Sequence, residues 1–126
     1  MFRFLYQGAI DFAAKYYSFS TGKFDPSLPN FVDYKVFGVT DIDGSIRYGS
    51  AALSSPSTLA ATGWHETVHQ DQFYQGLFYR ENSFALEVHA GVDTIYNSGR
   101  LNLSSSDVQD EINYLIRNMS LRRYAK

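Results

Sequence analysis

Three residues near the middle of the chain, His65, Glu66 and His69, have the types and the spacing needed to hold a metal ion and to use it. On a helix, residues four apart lie on one face, so the two histidines can present their imidazoles to the same ion. Glu66 lies between them, where its carboxylate can reach a water held by the ion without ligating the ion itself. The pattern predicts hydrolysis at a bound zinc ion, with Glu66 as the catalytic base and His65 and His69 as metal ligands.

Four helices are predicted from the spacing of the apolar residues. They cover residues 4–19, 56–75 and 83–97, and a last helix begins at Ser106. Ser55 and Pro56 supply a serine N-cap and a proline at the first helical position, so they fix the start of the helix that carries the histidine pair. Gln109, three residues after Ser106, predicts a capping box for the last helix.

A β-hairpin is predicted over residues 34–49, where β-branched and aromatic residues flank the turn residues Asp43 and Gly44. Residues 23–30 contain two prolines and are predicted to form a loop. The strand at residues 45–49 is expected to be an edge strand that holds an extended peptide by strand addition. The predicted fold class is therefore α+β: a small hairpin, then the metal helix, then further helices, in a single domain over residues 1–126.

A hydrolytic zinc site needs a third protein ligand and keeps a fourth position for water. The chain has three histidines and no cysteine, so the third ligand must be His89 or a carboxylate. Glu87 and His89 are two residues apart on a predicted helix, about 200° around it, so only one of them can face the ion. We favour Glu87 as the third ligand and keep His89 as the alternative.

The order of a hairpin, the metal helix and a later helix with an acidic residue resembles the gluzincin metallopeptidases. Members of that group follow the H-E-x-x-H motif, here His65 to His69, with a glutamate ligand on the next helix. Glu87 and Ala90 match the E-x-x-A form of this second element, whereas Gly91 stands where an aspartate is usual. The resemblance implies a zincin-like fold with zinc bound by both histidines and Glu87.

A closer resemblance is to the metallopeptidase toxin domains at the C-terminal ends of bacterial Rhs-type and other polymorphic toxins. It is carried by residues 58–72, with small residues before the motif and glutamines after it, and by residues 87–91 and 101–104. His89 and Gly91 depart from the glutamate and tyrosine of the second toxin motif. The resemblance implies an effector that hydrolyses peptide bonds of a protein target, a neighbouring immunity protein, and a chain that is the C-terminal part of a larger toxin.

Further site residues are predicted less directly. Candidates for stabilising the oxyanion of the reaction are Tyr74, Tyr79, Tyr96 and Arg100. Because Gly91 replaces the expected acid, the outer hydrogen-bond partner of a ligand histidine must come from elsewhere, and Asp93 and Asp71 are the candidates.

Composition narrows the partners. The net charge of −2 and the absence of a basic stripe argue against nucleic acid as a partner. The sequence contains no run of about twenty apolar residues, so no membrane span is predicted. The first residues do not read as a signal peptide, so the chain is expected to be cytosolic, to leave the cell by another route or to be a fragment of a longer protein. The alternative interpretation is a non-catalytic interaction domain with structural histidines, in which the 17% of aromatic residues serve a partner surface.

Overall fold

Four helices and a three-stranded sheet form the part of the chain that the computed structural model describes, residues 2–77 and 79–124, with side chains described for residues 4–77 and 84–117. The elements are α1 (Phe2–Tyr17), β1 (Lys23–Phe24), β2 (Gly38–Thr40), β3 (Ile46–Tyr48), a 3-10 turn (Ser50–Ser54), α2 (Pro56–Tyr74), α3 (Tyr79–Tyr96) and α4 (Ser105–Tyr124). The α+β class predicted from the sequence is confirmed. No helix within the described ranges combines the length and the apolar character needed to cross a membrane.

The sheet has the strand order β1-β3-β2, with β1 parallel and β2 antiparallel to β3. The predicted hairpin is confirmed, since Val39 pairs with Arg47 and Thr40 with Ile46. Two predictions about strands are wrong. Residues 23–30 are not all loop, because Lys23–Phe24 forms β1, and residues 45–49 are not at an edge, because β3 is the central strand. A parallel partner from before the hairpin is a non-local pairing that local sequence patterns do not reveal.

α2 is capped at both ends, and its start is the one that Ser55 and Pro56 predict. The Ser55 Oγ accepts a hydrogen bond from the Thr58 N–H at 3.0 Å, and Pro56 occupies the first turn. At the other end Gly76 adopts a φ of +84°, which closes the helix through the Leu77 N–H bond to the Gln72 carbonyl at 3.0 Å. The histidine pair therefore lies in the middle of a well-bounded helix.

The first turn of α4 is capped two residues earlier than predicted. The helix begins at Ser105, and the Ser104 Oγ accepts the Asp107 N–H at 3.1 Å, so the capping pair is not Ser106 and Gln109. The Asp107 carboxylate also accepts hydrogen bonds from Ser57 and Thr58. These contacts tie the start of α4 to the start of α2, which sets α4 beside the metal helix.

The hydrophobic core lies between α1, the sheet and α2. Its fully buried members are Ile10, Ala14, Phe19, Ile46, Tyr48, Ala52 and Leu59. At Gly63 the helix α2 runs so close to Phe19 that a Cβ atom built on the glycine would lie 2.3 Å from the ring. Because Gly63 is two residues before His65, this contact fixes how deeply the metal helix sits on the core.

Gly63→Ala is expected to lower the free energy of unfolding by about 1–3 kcal/mol, the usual cost of overpacking a buried contact. The Phe19 ring is 6% exposed, so it has little room to move away. The loss should appear although alanine is favoured over glycine in a helix by about 1 kcal/mol. Urea unfolding followed by circular dichroism measures it.

The matched control is Gly8→Ala in α1, where an added Cβ would meet nothing within 4 Å. This variant is expected to be neutral or slightly more stable. Equal stabilisation by both substitutions would show that the contact between Gly63 and Phe19 is not tight.

Candidate metal centre

Two histidines of α2 and one glutamate of α3 meet in a single group. The His69 Nε2 lies 2.7 Å from the Glu87 Oε1, and the His65 Nε2 lies 3.6 Å from the Glu87 Oε2. One donor atom from each of the three residues can be chosen so that all lie within 4.8 Å of one another. The group predicted from the sequence is thus brought together, and it could hold a metal ion.

The donor set and its spacing suit a tetrahedral cation. Bonds of about 2.0–2.1 Å to zinc place neighbouring donor atoms roughly 3.3 Å apart. The two distances from Glu87 to the ligand nitrogens, 2.7 and 3.6 Å, lie on either side of that value. These distances end on the two different oxygens of the Glu87 carboxylate, and the three donor atoms span up to 4.8 Å, so the side chains would move closer together around a bound ion. Two imidazoles with one carboxylate leave a fourth position open.

Glu66 is held beside this group by β2. Its carboxylate Oε1 accepts a hydrogen bond from the Thr40 Oγ1 at 2.8 Å, and the residue is only 8% exposed. Gly38 allows the close approach of the strand, because a Cβ there would lie 2.9 Å from the Glu66 side chain. Burial raises the pKa of Glu66, against the opposing effect of the neighbouring His65 and His69. The carboxylate is thus fixed in place next to the histidines without being one of the three ligands.

A glutamine orients His69. The Gln72 Nε2 donates to the Leu86 carbonyl at 3.1 Å and faces the His89 Nδ1 at 2.9 Å. Since a carbonyl oxygen can only accept, the amide must turn its Oε1 towards the His69 Nδ1, 2.8 Å away. The His69 Nδ1 therefore carries a hydrogen, and the Nε2 is the atom left to bind an ion.

His65 lies between two carboxylates. Its Nδ1 is 3.5 Å from the Glu111 Oε2 of α4, and its Nε2 faces Glu87. Burial alone would lower the pKa of His65, but the Glu111 and Glu87 carboxylates outweigh it and raise the pKa to about 10. Burial would likewise raise the pKa of Glu87, yet hydrogen bonds from the two histidines hold it well below its usual range. The raised pKa of His65 means that an ion bound at its Nε2 would compete with a proton.

The metal group opens into a cleft of about 670 Å³. One wall is the extended segment 34–40 that ends in β2, the opposite wall is α4, and the floor is formed by α2. The Tyr114 hydroxyl of α4 donates to the Glu87 Oε2 at 2.6 Å, so a phenol stands directly at the metal group.

The structure places several predicted site residues elsewhere. Asp71 accepts a hydrogen bond from Gln75 on the exposed side of α2, and Asp93 accepts hydrogen bonds from Trp64 and Asn97. Gln72 and Glu111 stand next to the ligand histidines in the places expected for these acids. His89 is exposed and meets the site only through Gln72, so Glu87 and not His89 completes the group.

Three of the four predicted oxyanion stabilisers, Tyr74, Tyr96 and Arg100, do not line the cleft at the metal group. Tyr96 is 87% exposed, and Tyr74 is 69% exposed. Arg100 stacks over the Trp64 ring at 4.3 Å and donates to the Tyr17 carbonyl. The Tyr79 side chain lies outside the described residues. Gly91, which replaces the expected aspartate, packs against Leu115 of α4, since a Cβ built on it would lie 2.7 Å from that side chain.

Four residues at the site were missed by the sequence reasoning: Thr40, Gln72, Glu111 and Tyr114. Gln72 is three residues after His69 and so shares its helix face, which is a usable local signal. Glu111 and Tyr114 are three apart on α4, but nothing local shows that this face turns towards α2. Thr40 reaches Glu66 only through the packing of β2 on α2.

Gln72→Leu is expected to weaken zinc binding by about 10–100-fold, the usual effect of removing an outer partner of a ligand histidine. Gln72→Glu should recover most of the affinity, because a carboxylate also accepts from the His69 Nδ1. The measurement is a zinc competition titration against a chromophoric chelator. The control is Gln75→Leu, an exposed glutamine of the same helix end that bonds to Asp71. Equal affinity in the Gln72→Leu and Gln75→Leu variants would contradict the role of Gln72.

No protein-family model, curated protein or solved structure matches this chain. The functional argument therefore rests on the residues of the site and their geometry.

Proposed function

We propose that the chain is a zinc-dependent metallopeptidase of the zincin type that hydrolyses peptide bonds of a protein target. The observation that carries the proposal is the meeting of His65, His69 and Glu87 with the buried Glu66 in one open cleft. A merely structural metal site would be closed by a fourth protein ligand, whereas this group faces a cleft. The non-catalytic interpretation gives no reason for a buried carboxylate beside the ligands.

Zinc bound at this group would supply a Lewis acid that activates water and polarises a carbonyl group. The protein's contribution begins with Glu66, which accepts the proton of the attacking water and later hands it to the leaving amine. The Thr40 hydroxyl bond to the Glu66 Oε1 keeps one carboxylate oxygen occupied, so the other is the one that exchanges the proton. Gln72 holds His69 in orientation by a hydrogen bond, and the Glu111 carboxylate lies 3.5 Å from the His65 Nδ1.

Tyr114 is our candidate for stabilising the oxyanion. Its hydroxyl donates to the Glu87 Oε2, and its ring lies 6.2 Å from the His65 ring. A donor in this position can turn to a developing negative charge on a substrate that binds at the ligand group. It takes the role that the sequence analysis gave to Tyr79, Tyr96 or Arg100.

The free edge of β2 offers a place for an extended peptide. The Gly49 N–H donates to the Phe37 carbonyl at 2.8 Å, so Phe37 directs its backbone towards β3. In an antiparallel ladder this direction alternates, which turns the N–H and C=O groups of Gly38 and Thr40 away from β3. Since Thr40 also holds Glu66, a peptide paired along this edge would pass directly by the catalytic base.

The resemblance to the metallopeptidase domains at the C-terminal ends of polymorphic toxins extends the proposal. The chain would act as a secreted effector with a protein target, and an immunity protein would inhibit it. The acidic net charge agrees with a target other than nucleic acid. Flanking genes that encode a small partner able to block the cleft would support this setting.

The test incubates the zinc-loaded protein with a mixture of denatured proteins and identifies new N-termini by mass spectrometry. We expect termini that appear with zinc and vanish when a chelator removes it. Tight zinc binding with no new termini at any protein concentration would reject the peptidase activity and leave only a metal site.

A further inference from the structure

A second feature of the cleft is an exposed apolar hairpin at its rim, residues 29–36, called here the tip hairpin. Phe31, Val32 and Tyr34 are 64%, 101% and 60% exposed, although apolar residues of this size normally lie inside. Three of them in four successive positions form a contiguous apolar patch, and such patches mark interaction sites.

The tip hairpin is held in shape by its own backbone. Phe31 and Tyr34 exchange two hydrogen bonds, at 2.8 and 3.3 Å, around the turn at Val32 and Asp33. The next residues outwards, Asn30 and Lys35, form an antiparallel β-bridge. After them, the Val36 N–H donates to the Pro29 carbonyl at 2.8 Å. As directly opposite residues, Phe31 and Tyr34 turn their side chains to the same face. The apolar patch is therefore preorganised, which lowers the entropy cost of binding through it.

The tip hairpin is continuous with the wall of the cleft. Its second half, from Tyr34 onwards, lines the cleft and runs directly into β2, which ends at Thr40 beside Glu66. Thr40 is six positions after Tyr34, so the two lie at most about 20 Å apart in an extended chain. A polypeptide that pairs along β2 would reach the tip within about six residues of the scissile bond.

We propose that the tip hairpin is a selectivity element that binds an apolar side chain of the target polypeptide, up to about six residues from the bond that is cleaved. The proposal rests on the peptidase function proposed above and adds the class of substrate: an extended chain with a large apolar residue at a fixed distance. Phe31 and Tyr34 form the receiving surface, and Val32 extends it.

Two other occupants fit the surface less well. Insertion into lipid would bury Asp33 at the end of the turn, and Asp107, Asp110 and Glu111 on the opposite wall of the cleft would repel an anionic membrane. A second copy of the chain would need about 800 Å² of contact from each partner, far more than four residues of a turn provide.

The binding test uses zinc-loaded Glu66→Gln, which should bind peptides without cleaving them. The probes are 14-residue fluorescent peptides of alanine and serine in which a single leucine is moved position by position. We expect leucine at one or two positions to tighten binding about tenfold, the effect of burying one large aliphatic side chain in part. Adding Phe31→Ser and Tyr34→Ser should remove this position dependence.

The matched control adds Phe12→Ser and Tyr16→Ser, which remove a stacked and exposed aromatic pair on α1 that does not line the cleft. The control should keep the position dependence. If the tip variant keeps it too, or if no position of leucine matters in any variant, the proposal is overturned.

The remaining outcomes separate the hypotheses. Suppose that the position of leucine has no effect on peptide binding. Binding to vesicles of phosphatidylcholine and phosphatidylglycerol that is lost in the tip variant would then overturn the proposal in favour of lipid. A dimer that is lost in the tip variant would overturn it in favour of a second copy of the chain. Tip-dependent peptide binding without cleavage by the native protein would reject the peptidase function and leave the binding role of the tip intact.

Discussion

Replacing Glu66 by glutamine is expected to reduce peptidase activity by about 10²–10⁴-fold, the usual contribution of general acid–base catalysis. The amide cannot accept the proton of the attacking water, whereas its size and its ability to accept the Thr40 hydroxyl are unchanged. Zinc content should stay near that of the native protein, because Glu66 is not one of the three grouped ligands. Stability should not fall, since the substitution removes a charge from a residue that is only 8% exposed.

The experiment measures kcat/KM on a cleaved peptide and zinc by mass spectrometry of the purified variant. Asp71→Asn is the control, because it makes the same change of carboxylate to amide on the same helix, at an exposed position bonded to Gln75. Its activity should remain within a few-fold of the native value. Full activity in Glu66→Gln would reject the mechanism, whereas loss of zinc in that variant would show that Glu66 belongs to the metal group after all.

Glu87→Ala is expected to weaken zinc binding by more than the 10–100-fold that is typical for loss of an outer partner, because it removes a ligand. The substitution also leaves the His65 and His69 Nε2 atoms without the carboxylate that lies 3.6 and 2.7 Å from them. The Tyr114 hydroxyl loses its acceptor as well. Peptidase activity should disappear with the metal and should not return fully at high zinc concentration.

His89→Ala is the matched comparison for this prediction. It removes the histidine that sequence reasoning kept as the alternative ligand, and Gln72 retains its bond to the Leu86 carbonyl. Zinc affinity should change little. Competition titration of both variants decides which residue is the third ligand. A larger loss of zinc affinity in His89→Ala than in Glu87→Ala would make His89 the third ligand.

The parts of this site that depend on one turn of helix are readable from the sequence. His65 and His69 share a face because four residues make about one helical turn, and that relation holds wherever the helix packs. The start of α2 at Ser55 and Pro56 is equally local, since a cap is satisfied by its own first turn. Glu87 was predictable because the gluzincin resemblance places a glutamate ligand on the helix that follows the histidine pair.

Contacts between segments that are distant in the sequence could not be predicted. Lys23–Phe24 joins β3 as a parallel strand, which makes β3 central and β2 the edge, so the expected peptide-binding strand was the wrong one of the hairpin. Parallel pairing depends on where the chain returns after a long connection, and no local pattern records it. Predicted oxyanion residues such as Tyr96 failed for the same reason, because helix periodicity does not say which neighbour a face will meet.

By itself, therefore, the sequence determined the two histidines and the glutamate of the candidate site, the helix that carries them and the α+β class. Only the tertiary structure decided what surrounds them: Thr40 on Glu66, Gln72 between His69 and His89, and Glu111 and Tyr114 from α4. The physical reason is that spacing along a helix fixes relations within that helix, whereas the partners of a buried polar group are set by how separate elements pack.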